Sequence, residues 1–247
     1  MKKIILLLGL LTGFYMQGMQ EPTEFAQAIE GQFTSLVNKL VNEKLYIKSI
    51  KAIFISIEIL VSAHSEAIKT IVKNHIENDL TSAQKELINL IRILEAGYLR
   101  RYVDFLGGVS EVIKYREETL KFIKFYIRGG IPLNVDYSIG IRNTRPLLEA
   151  ADTGDRVLFE LLLKKKANPI FMVDEDPKKS PLARLTEKMD SSEDISDYLD
   201  MIKMLHEAIR LSDEENMNDA EEADRSDSDE DDLTEGEFDS GSENFDF

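Results

Sequence analysis

Metal sites and nucleophilic centres are built from histidine, cysteine and clustered carboxylates, and this chain is poor in the first two. It has no cysteine in 247 residues, which excludes a disulfide framework, thiolate zinc sites, iron–sulfur clusters and a cysteine nucleophile. Its three histidines are His64, His75 and His206. One helix spanning His64 and His75 would put them on a shared face, but at 1.5 Å per residue they would stand roughly 16 Å apart, too far to share a metal. All three read as surface or boundary residues. Gly107-Gly108 and Gly129-Gly130 lack the flanking sequence of a phosphate cradle and read as helix ends. Asp227, Asp229 and Asp231 alternate as in a calcium loop, but Asp232 stands where that loop needs glycine and Phe238 where it needs glutamate, so no specific calcium site follows. The residues thus define no catalytic centre, no cofactor site and no metal site, and the chain reads as non-catalytic.

The charge is distributed very unevenly. The chain holds 46 acidic and 30 basic residues for a net charge of -16, and residues 212–247 carry 17 of the acids with one base. The body before them is neutral. Phosphate contacts need a surplus of Lys and Arg, so a basic nucleic-acid-binding domain is excluded. Residues 212–247 have too few apolar side chains to offset the entropy of ordering and read as a disordered acidic tail. Such a tail can steer basic partners, with an influence that fades as salt rises, or can simply keep the chain soluble.

Residues 1–20 begin Met-Lys-Lys, continue with an apolar run from Ile4 to Met16 and end in a polar break. That is the order of a secretory signal peptide. The run is too short for a comfortable permanent span of ~20 residues, so cleavage and export across the cytoplasmic membrane, to the periplasm or beyond, is the favoured reading. An uncleaved N-terminal anchor is the alternative, and it would be the only membrane contact.

From residue 21 to about 109 the apolar spacing is helical. Phe33, Leu36, Val37, Leu40 and Val41 form one stripe, Ile68, Ile71, Val72 and Ile76 a second, and Leu87, Ile88, Ile91, Leu94 and Tyr98 a third. Thr81 and Gln84 read as the capping pair before the third. Ile53, Ile55, Ile57 and Ile59 alternate in a way that also fits a strand, but Ile50, Ile53, Phe54, Ile57, Leu60 and Val61 line one face of a helix, which is favoured. Lys51 and Glu58 interrupt this segment, so it is no membrane span.

The one specific repeat signal lies in residues 145–169, Arg-Pro-Leu-Leu-Glu-Ala-Ala-Asp-Thr-Gly-Asp-Arg-Val-Leu-Phe-Glu-Leu-Leu-Leu-Lys-Lys-Lys-Ala-Asn-Pro. It resembles an ankyrin repeat, with Pro146 and Leu147 opening the first helix, Ala150 and Ala151 on its inner face, Gly154 at the turn, Leu161 to Leu163 in the second helix and Ala167 with Pro169 at the exit. Weaker copies lie in phase upstream, around Phe125–Ile131, and downstream, from Ser180-Pro181-Leu182 to a helix near 198–209. The usual Thr and His of the pattern are Arg145 and Leu148 in one copy and Ser180 and Ala183 in another, and Lys166 stands where glycine usually ends the helix. The resemblance covers about residues 110–211. It implies an all-α chain in which a helical region, 21–109, packs on a short α-solenoid.

The resemblance also implies function by recognition of another protein, through the inter-repeat loops and the exposed side of the first helices. Carried onto this chain, that surface is Tyr137, Ile139, Arg142 and Asn143 with Ser138 in one inserted loop, Phe171, Asp174, Glu175 and Lys178 in the next, and Glu149 and Asp152 on the helix between. Tyr137, Ile139, Arg142 and Phe171 are the side chains of a type that anchors interfaces. Ankyrin proteins with a bacterial-type signal sequence are associated with host proteins as targets. The other reading is a periplasmic structural or chaperone-like factor in which the N-terminal helices do the work.

Overall fold

The computed structural model describes residues 22–42, 47–63, 65–95, 103–192 and 195–226. The signal-like residues 1–20, His64, Tyr98 and the tail from residue 227 onward, including the calcium-like aspartates, lie outside the described residues. The chain divides into two units, Met1–Leu205 and His206–Phe247.

The fold is all-α. Four amphipathic helices open it: α1 (Pro22–Val41), α2 (Ile47–Ser62), α3 (Ser65–Asn78) and α4 (Leu80–Ile93). A short α5 (Val103–Leu106) and a long α6 (Val109–Arg128) follow. The isoleucine-rich segment is helical, and Ile50, Ile53, Phe54, Ile57 and Leu60 are all buried on one face of α2. Its alternating residues thus follow the helical period, with the β-branched side chains held by packing against α1 and α6 rather than by a sheet. The other stripes also point inward, through Phe33, Leu36 and Leu40 on α1 and Ile68, Val72 and Ile76 on α3. Each such side chain contributes roughly 1.5–3 kcal/mol by leaving water. The capping pair expected at Thr81 and Gln84 is displaced upstream: Asp79 is the N-cap of α4 and accepts the Ser82 N–H at 3.0 Å. Aspartate is the stronger cap, and taking it lets Leu80 open the helix.

A hairpin, β1 (Tyr137–Ile139) and β2 (Arg142–Thr144), comes next, antiparallel with Ile139 opposite Arg142. Gly140 at its tip takes φ +61°, the left-handed value that the first position of a tight two-residue hairpin turn requires. Two short helices follow, α7 (Pro146–Thr153) and α8 (Arg156–Lys164), joined through Gly154 at φ +70°. After two 3₁₀ turns, Val173–Glu175 and Pro177–Lys179, come α9 (Pro181–Ser191) and α10 (Ser196–Ser226). Both α7 and α9 start the same way, with an extended residue, Arg145 or Ser180, and then proline in the first turn, where a missing N–H is no loss. The last helix, α10, runs to Ser226, into the start of the acidic segment. In the second unit Arg210 bridges Glu207, at 2.6 Å, and Glu214, the i,i+3 and i,i+4 pairing that favours helix in a charged sequence.

In the first unit α4, α7 and α9 pack side by side in a row, with α8 against α7 and α6 against α4. The row therefore begins at Leu80, inside the region the sequence assigns to the N-terminal helices, and β1 packs against α4.

Candidate partner-binding groove

The row and the hairpin enclose an open groove of about 860 Å³, with a smaller hollow of about 420 Å³ beside it. Its floor comes from α4, α7 and α9, and one wall is the hairpin tip, Ile139 to Arg142.

Four of the sequence-predicted residues meet here. Glu149 on α7 is 7 % exposed and accepts both N–H groups of the Arg92 fork from α4, at 2.8 and 3.0 Å. Asp152, one turn on, lies 3.2 Å from Nε of Arg184 on α9. Burial pushes its carboxyl above the usual carboxylate value, and the Arg184 charge only partly offsets that. Arg142 is exposed at the rim, and Ile139, although buried, lines the groove from below. Asn143 borders the smaller hollow and donates to Asp174 Oδ1 at 2.7 Å. Asp174 also accepts from Lys179 at 2.5 Å, and these two hydrogen bonds hold its carboxyl below the usual value. That cluster knits the hairpin to the first 3₁₀ turn. Glu175 and Lys178 are exposed in that connection and line neither hollow.

Two expected anchors, Tyr137 and Phe171, are interior and line neither hollow. Tyr137 is wholly buried and its hydroxyl donates to the Pro132 carbonyl at 2.5 Å, so burial drives its pKa far up. Strand alternation is the reason: Tyr137 and Ile139 share the face of β1 turned inward, while Ser138 points out. Phe171 is 7 % exposed, with the Arg145 guanidinium 4.6 Å above its ring. Arg145 also donates to Asp136 at 2.6 Å. It therefore covers Phe171 and fastens the connection before β1 rather than capping α7.

Sequence reasoning missed the residues best placed for contact. Ile141, between Gly140 and Arg142, is fully exposed at the tip, and Ile170 and Met172 are 57 % and 51 % exposed. A glycine directly after the alternating Tyr137-Ser138-Ile139 run was the available signal for a hairpin tip. Arg92, Arg184 and Lys188 line the groove from α4 and α9, and nothing local in sequence marks them, because the row that brings them together is set by long-range packing. Among the described residues no group of three or more His, Asp or Glu could hold a metal ion, and no helix is long and apolar enough to cross a membrane.

No protein-family model, no curated protein and no solved structure matches this chain. The fold defines an all-α chain whose helical row and hairpin enclose an open groove lined by both charged and apolar side chains.

Proposed function

We propose that this chain is a non-catalytic recognition module, and that the helices from α4 to α9 form a short array of ankyrin type whose groove and hairpin tip hold another protein. The observation that carries this reading is the hairpin tip. Ile141 stands fully exposed beside a groove of about 860 Å³, on a hairpin tied to its surroundings by the Tyr137 hydroxyl bond to Pro132 and by the Asn143–Asp174 bond. An apolar side chain presented on a fixed scaffold loses little entropy on binding, which favours a contact role. The repeated proline starts of α7 and α9, the left-handed Gly154 and the side-by-side row support the ankyrin reading. Export rests on the order of charge, apolar run and polar break in residues 1–20, and a target among host proteins rests on family likeness alone.

The test uses the full chain with a photo-crosslinking amino acid at Ile141 or, as control, at Val157, which is 46 % exposed on α8. Recognition through the groove gives a partner crosslinked from 141 and not from 157, and lost on Arg142→Glu at unchanged melting temperature. Equal crosslinking from both sites, or capture that survives Arg142→Glu undiminished, overturns it. A partner that crosslinks instead from exposed sites on α1 to α3 would favour the structural or chaperone-like reading.

A further inference from the structure

Away from the groove, the helical region holds a buried carboxylate that the recognition reading does not use. Glu86 on α4 has no exposed surface. One of its oxygens accepts from the hydroxyl of Tyr126 on α6, itself wholly buried. The other lies 3.1 Å from Nε2 of His75 on α3. The imidazole is 15 % exposed at its side chain, so it is the one member of the trio that protons can reach from solvent. Its other face is set by the edge of Phe33 on α1, with ring centroids 5.3 Å apart at 76°.

We propose that His75, Glu86 and Tyr126 form a proton-operated latch that fastens α3 to α4 and α6. A buried carboxylate is stable only when its charge is matched and its lone pairs are filled. Tyr126 fills one side but brings no charge. Protonated His75 supplies both a donor and the missing positive charge, and neutral His75 leaves a buried anion held by neutral donors alone. Among the described residues the titratable groups around the ring are Glu86 and, behind it, Tyr126, together with Asp79 at the start of α4. From α1 the ring meets Phe33, and the Lys73–Glu77 pair on α3, at 3.7 Å, is solvent-exposed. Burial alone would lower the His75 pKa, but the bond and charge of Glu86, with Asp79 behind them, outweigh it and hold it above the usual 6.5. A group raised on folding stabilises the fold below its unfolded value and loses that contribution as pH rises through its folded value. The latch is therefore fastened in mild acid and loosens toward alkaline pH. Packing is tight enough for the loss to be felt, since even a Cβ added at Gly129, the end of α6, would come within 2.9 Å of Ile76 on α3.

Hydrogen exchange of the full chain, corrected for intrinsic exchange rates, tests this at pH 5.5 and 8.0. The latch gives a several-fold rise in opening of α3 peptides over that range, while α7 and α8 peptides stay level. Glu86→Gln, and independently His75→Gln, which keeps a hydrogen-bonding group without a titrating charge, abolish the pH dependence. A proton titration of the His75 ring by NMR gives a value above 6.5 in the natural chain. Protection of α3 that does not change with pH, the same pH dependence in His75→Gln, or a ring titrating at or below 6.5 would each overturn the latch.

Discussion

Arg92 and Glu149 join α4 to α7 by a two-bond fork, Nε to Oε2 at 3.0 Å and Nη2 to Oε1 at 2.8 Å. A second fork, Arg116 to Asp155 at 3.0 and 2.9 Å, joins α6 to the start of α8, where Asp155 also caps the helix through the Leu158 N–H. Both forks are charge-assisted cross-links between neighbouring helices, each pairing an arginine with a buried carboxylate.

The Arg92–Glu149 fork predicts strong coupling. Arg92→Met leaves Glu149 buried and unmatched and should cost about 2 kcal/mol, and Glu149→Gln about 1–2 kcal/mol. The double variant should cost little more than Arg92→Met alone, a coupling of about 1 kcal/mol or more in a double-mutant cycle from urea unfolding. Strict additivity would show that the fork, with Arg92 at 35 % exposure, is screened to insignificance.

Gly154 makes the turn between α7 and α8 under two constraints. Its φ of +70° disfavours any Cβ, and a Cβ built there would stand 2.7 Å from the Tyr198 hydroxyl oxygen and 3.1 Å from its ring carbon. Gly154→Ala should therefore cost about 2–3 kcal/mol, of which about 1 kcal/mol is backbone strain. Tyr198→Phe in that background removes the closer atom and should restore part of the loss. No relief would mean that backbone strain accounts for the whole effect.

Lys166 is the converse case. It holds φ +59° at the end of α8, with its carbonyl accepting from Asn134 Nδ2 at 3.0 Å. Lys166→Gly relieves the left-handed strain and keeps that carbonyl bond, so the chain should gain about 0.5–1 kcal/mol, read as a rise in melting temperature. A fall would show that the lysine side chain contributes more than its backbone strain costs.

Local signals carried much of this fold into the sequence. Helical spacing identified the buried faces of α1 to α4, and proline, Gly154 and the leucine run marked α7 and α8. The hairpin read as an inserted loop because three-residue strands are too short for periodicity to reveal. The anchors were misjudged for a related reason: size and chemistry suggest that Tyr137 and Phe171 could bind, but only packing on α4 and the cover from Arg145 decide that they face inward. The His75–Glu86 contact was equally hidden, since the two residues lie on different helices and meet through a turn at Asp79.

Asp152 gives a pH test of the groove floor. Its folded value lies above the usual 3.8, first because burial disfavours the charged form, with Arg184 opposing and Glu149 adding to the rise. For a carboxylate raised on folding, the contribution to stability is present below 3.8 and is lost as pH rises through the folded value. Asp152→Asn removes that loss, so the variant should gain on the natural chain between pH 3.5 and 6.5, whatever the offset from altered hydrogen bonding. Arg184→Met removes the opposing cation and should steepen the loss over the same range. Urea unfolding of all three chains at the two pH values measures this, and an Asn variant whose stability difference is the same at both would refute it. An ionised carboxylate kept in the groove at a cost to folding is what a site selected for contact rather than for stability would retain. Under the recognition role proposed above, the same substitution should weaken crosslinking of a partner from position 141 while leaving the fold at least as stable at pH 6.5.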